Sequence, residues 1–162
     1  MATTKPQAVR MLEQRHIAHE VVEFDPAIRS AEGVATNTGM APHLVYKTLV
    51  VEFDPPKGKP LLVMMPSTSD IDLKVLAVAV GAKKLRMASH KDAERHTGLQ
   101  VGGIGALALT GKGFAVYIDE AVAGHPEILV SAGARGFDVK LAVADLVALT
   151  GARAVRCGRE LA

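Results

Sequence analysis

The chain has 162 residues, a formal net charge of +2, 49% apolar but only 4% aromatic residues, and one cysteine. These values exclude a disordered chain, a strongly basic protein that wraps a nucleic-acid duplex, and an internal disulfide. The length suits one domain, 1–162, burying about two thirds of its unfolded surface in a core of Val, Leu, Ala, Ile and Met. With no signal-like amino terminus and no apolar run of membrane-spanning length, the chain is expected to be cytoplasmic with no membrane segment.

Thr4 and Pro6 predict a helix start, continued by Val9 and Leu12 to about His16. Ile17 to Phe24 reads as a strand ended by Asp25-Pro26. Ser30 caps a short predicted helix that stops at Gly39. Leu44 to Phe53 is an apolar strand, Asp54 to Pro60 a turn, and Leu61 to Met65 its expected antiparallel partner. Asp70 or Asp72 opens a helix ending before Gly81, with Leu73, Leu76, Ala77 and Val80 on its buried face. Ser89 caps another helix, with Asp92 three positions on, stopping at Gly98. Further strands are expected at Phe114 to Ile118, Glu127 to Ser131 and Phe137 to Leu141. A helix over Val143 to Thr150 closes at Gly151, and Ala152 to Cys157 is a last short strand. Strands and helices intersperse without the regular alternation of a doubly wound fold. The fold class is α+β, with a mixed, mainly antiparallel β-sheet flanked by helices.

Lys47 interrupts the apolar strand. Strand alternation places Val45, Lys47, Leu49 and Val51 on one face, and Tyr46, Thr48 and Val50 on the other. An ammonium among branched hydrocarbons is costly to desolvate. Either it marks a sheet edge and reaches water, or it meets an anionic or polarised ligand group.

Two glycine-rich loops follow. Val101 to Ala106, with Gly102, Gly103 and Gly105, can bring backbone N–H groups close to a carbonyl oxygen or a phosphate. Its spacing is neither a dinucleotide fingerprint nor a P-loop. Ser131 to Gly136 directly follows a strand; Ser131 is outside a nucleophile elbow and reads as a turn or ligand hydrogen-bonding residue. Asp138 is placed to stabilise that loop or to pair with Arg135. The six histidines form no metal pattern, so neither metal nor cofactor is expected, and Cys157 reads as a packing residue.

Three segments in this order resemble the YbaK/EbsC family of trans-editing aminoacyl-tRNA deacylases, related to the editing insertion of prolyl-tRNA synthetase. They are Val45 to Val50, then Asp72 to Lys74 continuing through Gly81 to Lys84, Thr97-Gly98 and Val101 to Ile104, then Val130 to Gly136 with Asp138. The resemblance implies hydrolysis of the ester on mischarged tRNA, with cysteine or alanine on tRNA(Pro) the familiar case. It implies an aminoacyl-tRNA 3′ end as partner and prolyl-tRNA synthetase as a candidate partner. It maps the family lysine to Lys47, the loop facing the substrate carbonyl and ribose to Gly102, Gly103 and Ile104, and the second loop to Ser131, Gly133 and Gly136. Phe24, Thr48, Gly105 and Asp138 join these as expected substrate contacts. In this reading the glycine-loop amides stabilise the developing oxyanion, and Lys47 positions a phosphate or the ester. A base role for Lys47 ranks below positioning. The attacking group is water, or the substrate's own thiol.

Two positions depart from the family pattern. Gly105-Ala106 stands where family members usually carry Ser-Pro, and Phe24 where the cysteine-specific branch often has an aromatic hydroxyl. The alternative function carried alongside is a non-catalytic domain that binds the tRNA acceptor end.

Overall fold

The computed structural model describes residues 5–160. The chain begins with α1 (Gln7–Gln14), β1 (His19–Glu23), α2 (Ala31–Thr38), β2 (Tyr46–Phe53) and β3 (Leu61–Pro66). Next come β4 (Ser69–Ile71), α3 (Leu73–Val80), β5 (Leu85–Met87), α4 (His90–Thr97) and β6 (Val116–Asp119). It ends with β7 (Glu127–Ala134), β8 (Phe137–Ala142), α5 (Val143–Thr150), β9 (Arg153–Val155) and β10 (Gly158–Glu160). Single 3₁₀ turns lie at Pro42–Leu44, Leu107–Leu109 and Glu120–Gly124.

The predicted caps set the helix ends. Ser30 Oγ accepts from Gly33 N–H at 3.0 Å, Asp72 from Val75 N–H at 3.1 Å and Ser89 from Asp92 N–H at 3.1 Å. Asp72, not Asp70, therefore opens α3. Helices α2 to α5 stop where Gly39, Gly81, Gly98 and Gly151 turn left-handed. Thr4, half of the expected start of α1, lies outside the described residues.

The strands form three sheets rather than one. A five-stranded mixed sheet runs β5-β2-β3-β6-β9, a three-stranded antiparallel sheet β1-β8-β7, and β10 pairs with β4. Within the large sheet, β2 is antiparallel to β3 and β5, while β3–β6 and β6–β9 are parallel. Every residue of β3 is buried, as a strand covered on both faces requires.

The face alternation of β2 holds. Tyr46 and Val50 enter one core cluster with Leu62, Met64 and Ile118. Leu49 and Val51 pack on the other face with Val63, Met65 and Leu76. Strand β2 starts at Tyr46 because Pro42 opens a 3₁₀ turn through Leu44. The three-residue strands β4 and β5 are too short to show any periodicity. Within the expected strand Ala152 to Cys157 the structure has β9, and β10 is a further strand after Cys157 that joins a different sheet. Cys157 is fully buried, and its thiol is pushed up to about 12, first by burial and then by neighbouring Asp119.

Helix α4 is fastened to the large sheet by a buried carboxylate. Glu52 accepts from Arg86 Nε at 3.1 Å and lies 2.9 Å from His96 Nε2, with 8% of its surface exposed. The His96 hydrogen bond, and next Arg86, hold its carboxyl below the ordinary value of 4.5 despite burial. A depressed folded pKa gives stability that is present above pH 4.5 and lost as pH falls through the lowered value. Glu52→Gln should therefore cost about 1–3 kcal/mol at pH 7. In urea unfolding the gap to wild type should narrow as pH falls below 4.5; a gap independent of pH would contradict the ionic role.

Candidate functional site

The site originates in an interrupted strand edge. Along one side β2 pairs with β3 from Tyr46 to Val51. Its other side is occupied at two separated places. Val45 bridges Leu129 in parallel at the start, and Val51 to Phe53 pair with β5 at the end. Ala88 N–H closes the β5 end by donating to Val50 O at 3.0 Å. Because main-chain groups alternate sides, those of Thr48 face the open stretch between. A cavity of about 300 Å³ occupies this gap, the size of a small ligand or of one terminal group of a larger one.

Lys47 and Thr48 line the cavity from β2, Gly102 and Ile104 from the glycine loop, and Ser131 and Asp138 from β7 and β8. Six of the residues singled out in the sequence thus converge from three separate segments. Lys47 is half-buried and forms no ion pair among the described residues. Asp138 is opposite Ser131 in the hairpin and 6% exposed. Burial alone pushes its carboxyl up to about 7. Arg135, its expected partner, instead donates from Nε to Val101 O at 2.7 Å and ties the hairpin to the glycine loop.

The glycine loop is rigid by close contact. Gly102 has φ 92°, and a Cβ there would lie 2.9 Å from Arg29 Cβ. A Cβ on Gly105 would lie 2.7 Å from Ser131 O, so the serine usual in the family would not fit this backbone. Ala106 N–H donates to Thr48 Oγ1 at 3.2 Å, a bond that proline, lacking the hydrogen, could not make. The departure from Ser-Pro therefore exchanges one restraint for another. Gly103 N–H is committed to Gln100 O at 2.8 Å, which removes it from the set of free donors. Among the described residues the amides of Gly102 and Ile104 have no intramolecular acceptor.

The other expected residues support the walls from behind. Gly103 packs on the backbone of Ala134 and Arg135, and Gly133 against Ala108. Gly133 N–H donates to Ser131 Oγ at 3.1 Å across a bulge, leaving the Ser131 hydroxyl proton free to donate. Phe24 packs with Val34, Val45 and Leu129, and its N–H donates to Gly136 O at 3.0 Å. Phe24 and Gly136 thus join β1 to the β7–β8 turn and stay outside the cavity lining.

Sequence reading missed Arg29, Met87 and His90, which also line the cavity. Ser30 and Ser89 signalled the starts of α2 and α4, and Arg29 and His90 flank those caps, but nothing local marked the side chains. His90 and His96 do lie on different faces of α4: His96 meets Glu52, while His90 faces the cavity. Among the described residues no group of three or more His, Cys, Asp or Glu is placed to hold a metal ion, and no helix is long and apolar enough to cross a membrane.

A family model described as "Aminoacyl-tRNA editing domain" matches residues 25–149. A curated protein of Enterococcus faecalis (strain ATCC 700802 / V583), named "Putative Cys-tRNA(Pro)/Cys-tRNA(Cys) deacylase EbsC", is 36% identical over 148 residues, covering 90% of this chain and 88% of its own. A solved structure described as "a putative trans-editing enzyme for prolyl tRNA synthetase" superposes with a TM-score of 0.80 at 26% identity, over 97% of this chain and 99% of that one. A second, "hypothetical protein APE2540", shares the fold with a TM-score of 0.83 at 18% identity, over 94% and 100% of the two chains. The family match spans the lysine strand and both glycine-rich loops, and the chain belongs to the aminoacyl-tRNA editing domain family.

Proposed function

We propose that this protein, as one editing domain over 1–162, is a trans-editing aminoacyl-tRNA deacylase. It hydrolyses the ester of mischarged tRNA, with cysteine or another small amino acid on tRNA(Pro) as substrate and prolyl-tRNA synthetase as a candidate partner. The observation that carries this reading is the convergence of Lys47, Gly102, Ile104, Ser131 and Asp138 on one cavity at an open strand edge. The name of the E. faecalis relative supports the same activity.

These groups suit ester cleavage without a protein nucleophile. Attack on the carbonyl moves charge onto its oxygen. The unpaired amides of Gly102 and Ile104 are the donors for that oxyanion, each worth roughly 3 kcal/mol in a preorganised site. Lys47, which forms no ion pair among the described residues, adds a cation that holds the ester or the adjoining phosphate. Water attack yields free amino acid and restores the ribose hydroxyl. With cysteine, the substrate sulfur bonds to the carbonyl carbon, the ester C–O bond breaks, and the thiol proton passes to the leaving ribose oxygen. Asp138, once ionised, is the acceptor for the α-ammonium, and the Ser131 hydroxyl donates beside it.

The direct test is a panel of Cys-, Ala- and Ser-charged tRNA(Pro). Wild type should release amino acid from at least one, and Lys47→Ala should lower kcat/KM by about 100-fold or more while staying folded. A wild-type protein inert across the panel would sink the proposal.

A second test is pH dependence. Since burial raises Asp138 to about 7, kcat/KM should climb as pH rises through 7, and Asp138→Asn should remove that limb. The stability effect has the opposite sign. Wild type gains from a neutral Asp138 below pH 3.8 and loses this as pH rises through about 7. Asp138→Asn should therefore raise Tm more at pH 8 than at pH 4; equal shifts at both would argue against a buried titrating carboxyl.

A further inference from the structure

The cavity has two chemically different ends, and their order along β2 orients whatever binds there. Strand β7 runs parallel to β2 from the Val45–Leu129 bridge, which brings Ser131 and its neighbour Asp138 alongside Lys47. Met87 and Ala88 meet β2 at Val51 and Val50. At about 3.3 Å per residue the two ends are about 10–13 Å apart. The first end carries the buried carboxyl and a hydroxyl. The second carries Met87, 41% exposed, and the exposed imidazole of His90, an apolar surface and a flat ring suited to a ribose and a base.

Charge divides in the same sense. Beyond the Met87–His90 end, β5, the turn before it and α4 present Lys83, Lys84, Arg86, Lys91 and Arg95, all exposed. Asp54 lies 3.5 Å from Lys84 and 3.7 Å from Arg86, Glu52 takes Arg86, and Asp92 takes Arg95 at 3.2 Å. Lys83 and Lys91 have no ion pair among the described residues. The α2 side of the cavity offers no such excess, since Arg29 and Glu32, both exposed, line it as one cation and one anion. A polyanion anchored in the cavity finds its unpaired cations across the β5–α4 rim.

We infer that the RNA leaves the cavity over the β5–α4 rim. Its aminoacyl group lies at the Ser131–Asp138 end, its terminal nucleoside against Met87 and His90, and its acceptor-stem phosphates on a track that includes Lys83 and Lys91. This rests on the deacylase reading of the cavity and adds the direction in which tRNA is bound. Lys83 and Lys91 are the informative pair, because no internal carboxylate competes for them.

The test compares two substrates carrying the same amino acid, a mischarged tRNA and a 3′-aminoacyl adenosine that lacks every stem phosphate. In the double variant Lys83→Glu/Lys91→Glu, kcat/KM for tRNA should fall about tenfold relative to the adenosine ester. The slope of log kcat/KM against log salt should flatten by roughly one for each phosphate that the variant no longer neutralises. A charge-matched control, Arg10→Glu/Lys112→Glu, should leave the ratio of the two substrates unchanged. Equal loss on both substrates, or an equal fall in the control, would overturn the track. If wild type hydrolyses neither ester, the deacylase reading fails separately. Fluorescence anisotropy with an uncharged acceptor-stem hairpin then decides the surface: weaker binding by Lys83→Glu/Lys91→Glu than by the control supports it, and equal binding refutes it.

Discussion

The open stretch of β2 between Val45 and Val51 is the constraint on which the site depends. A strand edge inside a protein normally finds a partner, because unpaired main-chain groups are costly when buried. Here β7 reaches the edge at one end and β5 at the other, and neither continues across the middle. The remaining gap is walled by the glycine loop, held through Ala106 to Thr48 and through Val101 to Arg135. Lys47 is half-buried because this gap gives its strand a cavity to open into. The glycine loop that lines the gap keeps two amides, those of Gly102 and Ile104, without an intramolecular acceptor among the described residues.

Within the gap, stability and function oppose each other. A lysine with no ion pair among the described residues and an aspartate raised by burial alone contribute little to holding the fold. Glu52 shows the other arrangement in the same strand, a carboxylate satisfied by His96 and Arg86 and held below its ordinary range. One charge in β2 anchors α4, and the other is left available to a ligand.

The glycine loop shows how one geometry is reached by different residues. Gly105 allows the loop to approach the Ser131 carbonyl more closely than any side chain would permit, and Ala106 supplies an N–H that Thr48 accepts. The absence of Ser-Pro, read in isolation, suggests a looser loop. The hydrogen bonds and close approaches show a loop fixed from both sides, by β2 and by the β7–β8 hairpin. Thr48 is accordingly a support of the loop as well as part of the cavity lining.

Local chemistry in the sequence determined much of this protein: the helix caps at Ser30 and Ser89, the glycine stops, the two faces of β2, and Lys47 as a charge out of place. These follow from interactions within a few residues or from a repeat of period two, so they are visible in the chain itself. The ordered motifs also pointed to the family before any spatial neighbour was known. Tertiary structure alone decided which loop atoms are free. Gly103 is the more conspicuous glycine, yet its amide is committed to Gln100, while Gly102 and Ile104 keep theirs. It alone brought Arg29, Met87 and His90 to the cavity, moved Arg135 from Asp138 to Val101, and divided the strands among three sheets. Each of these outcomes depends on packing between segments far apart in the chain, and local propensity carries no record of that distance.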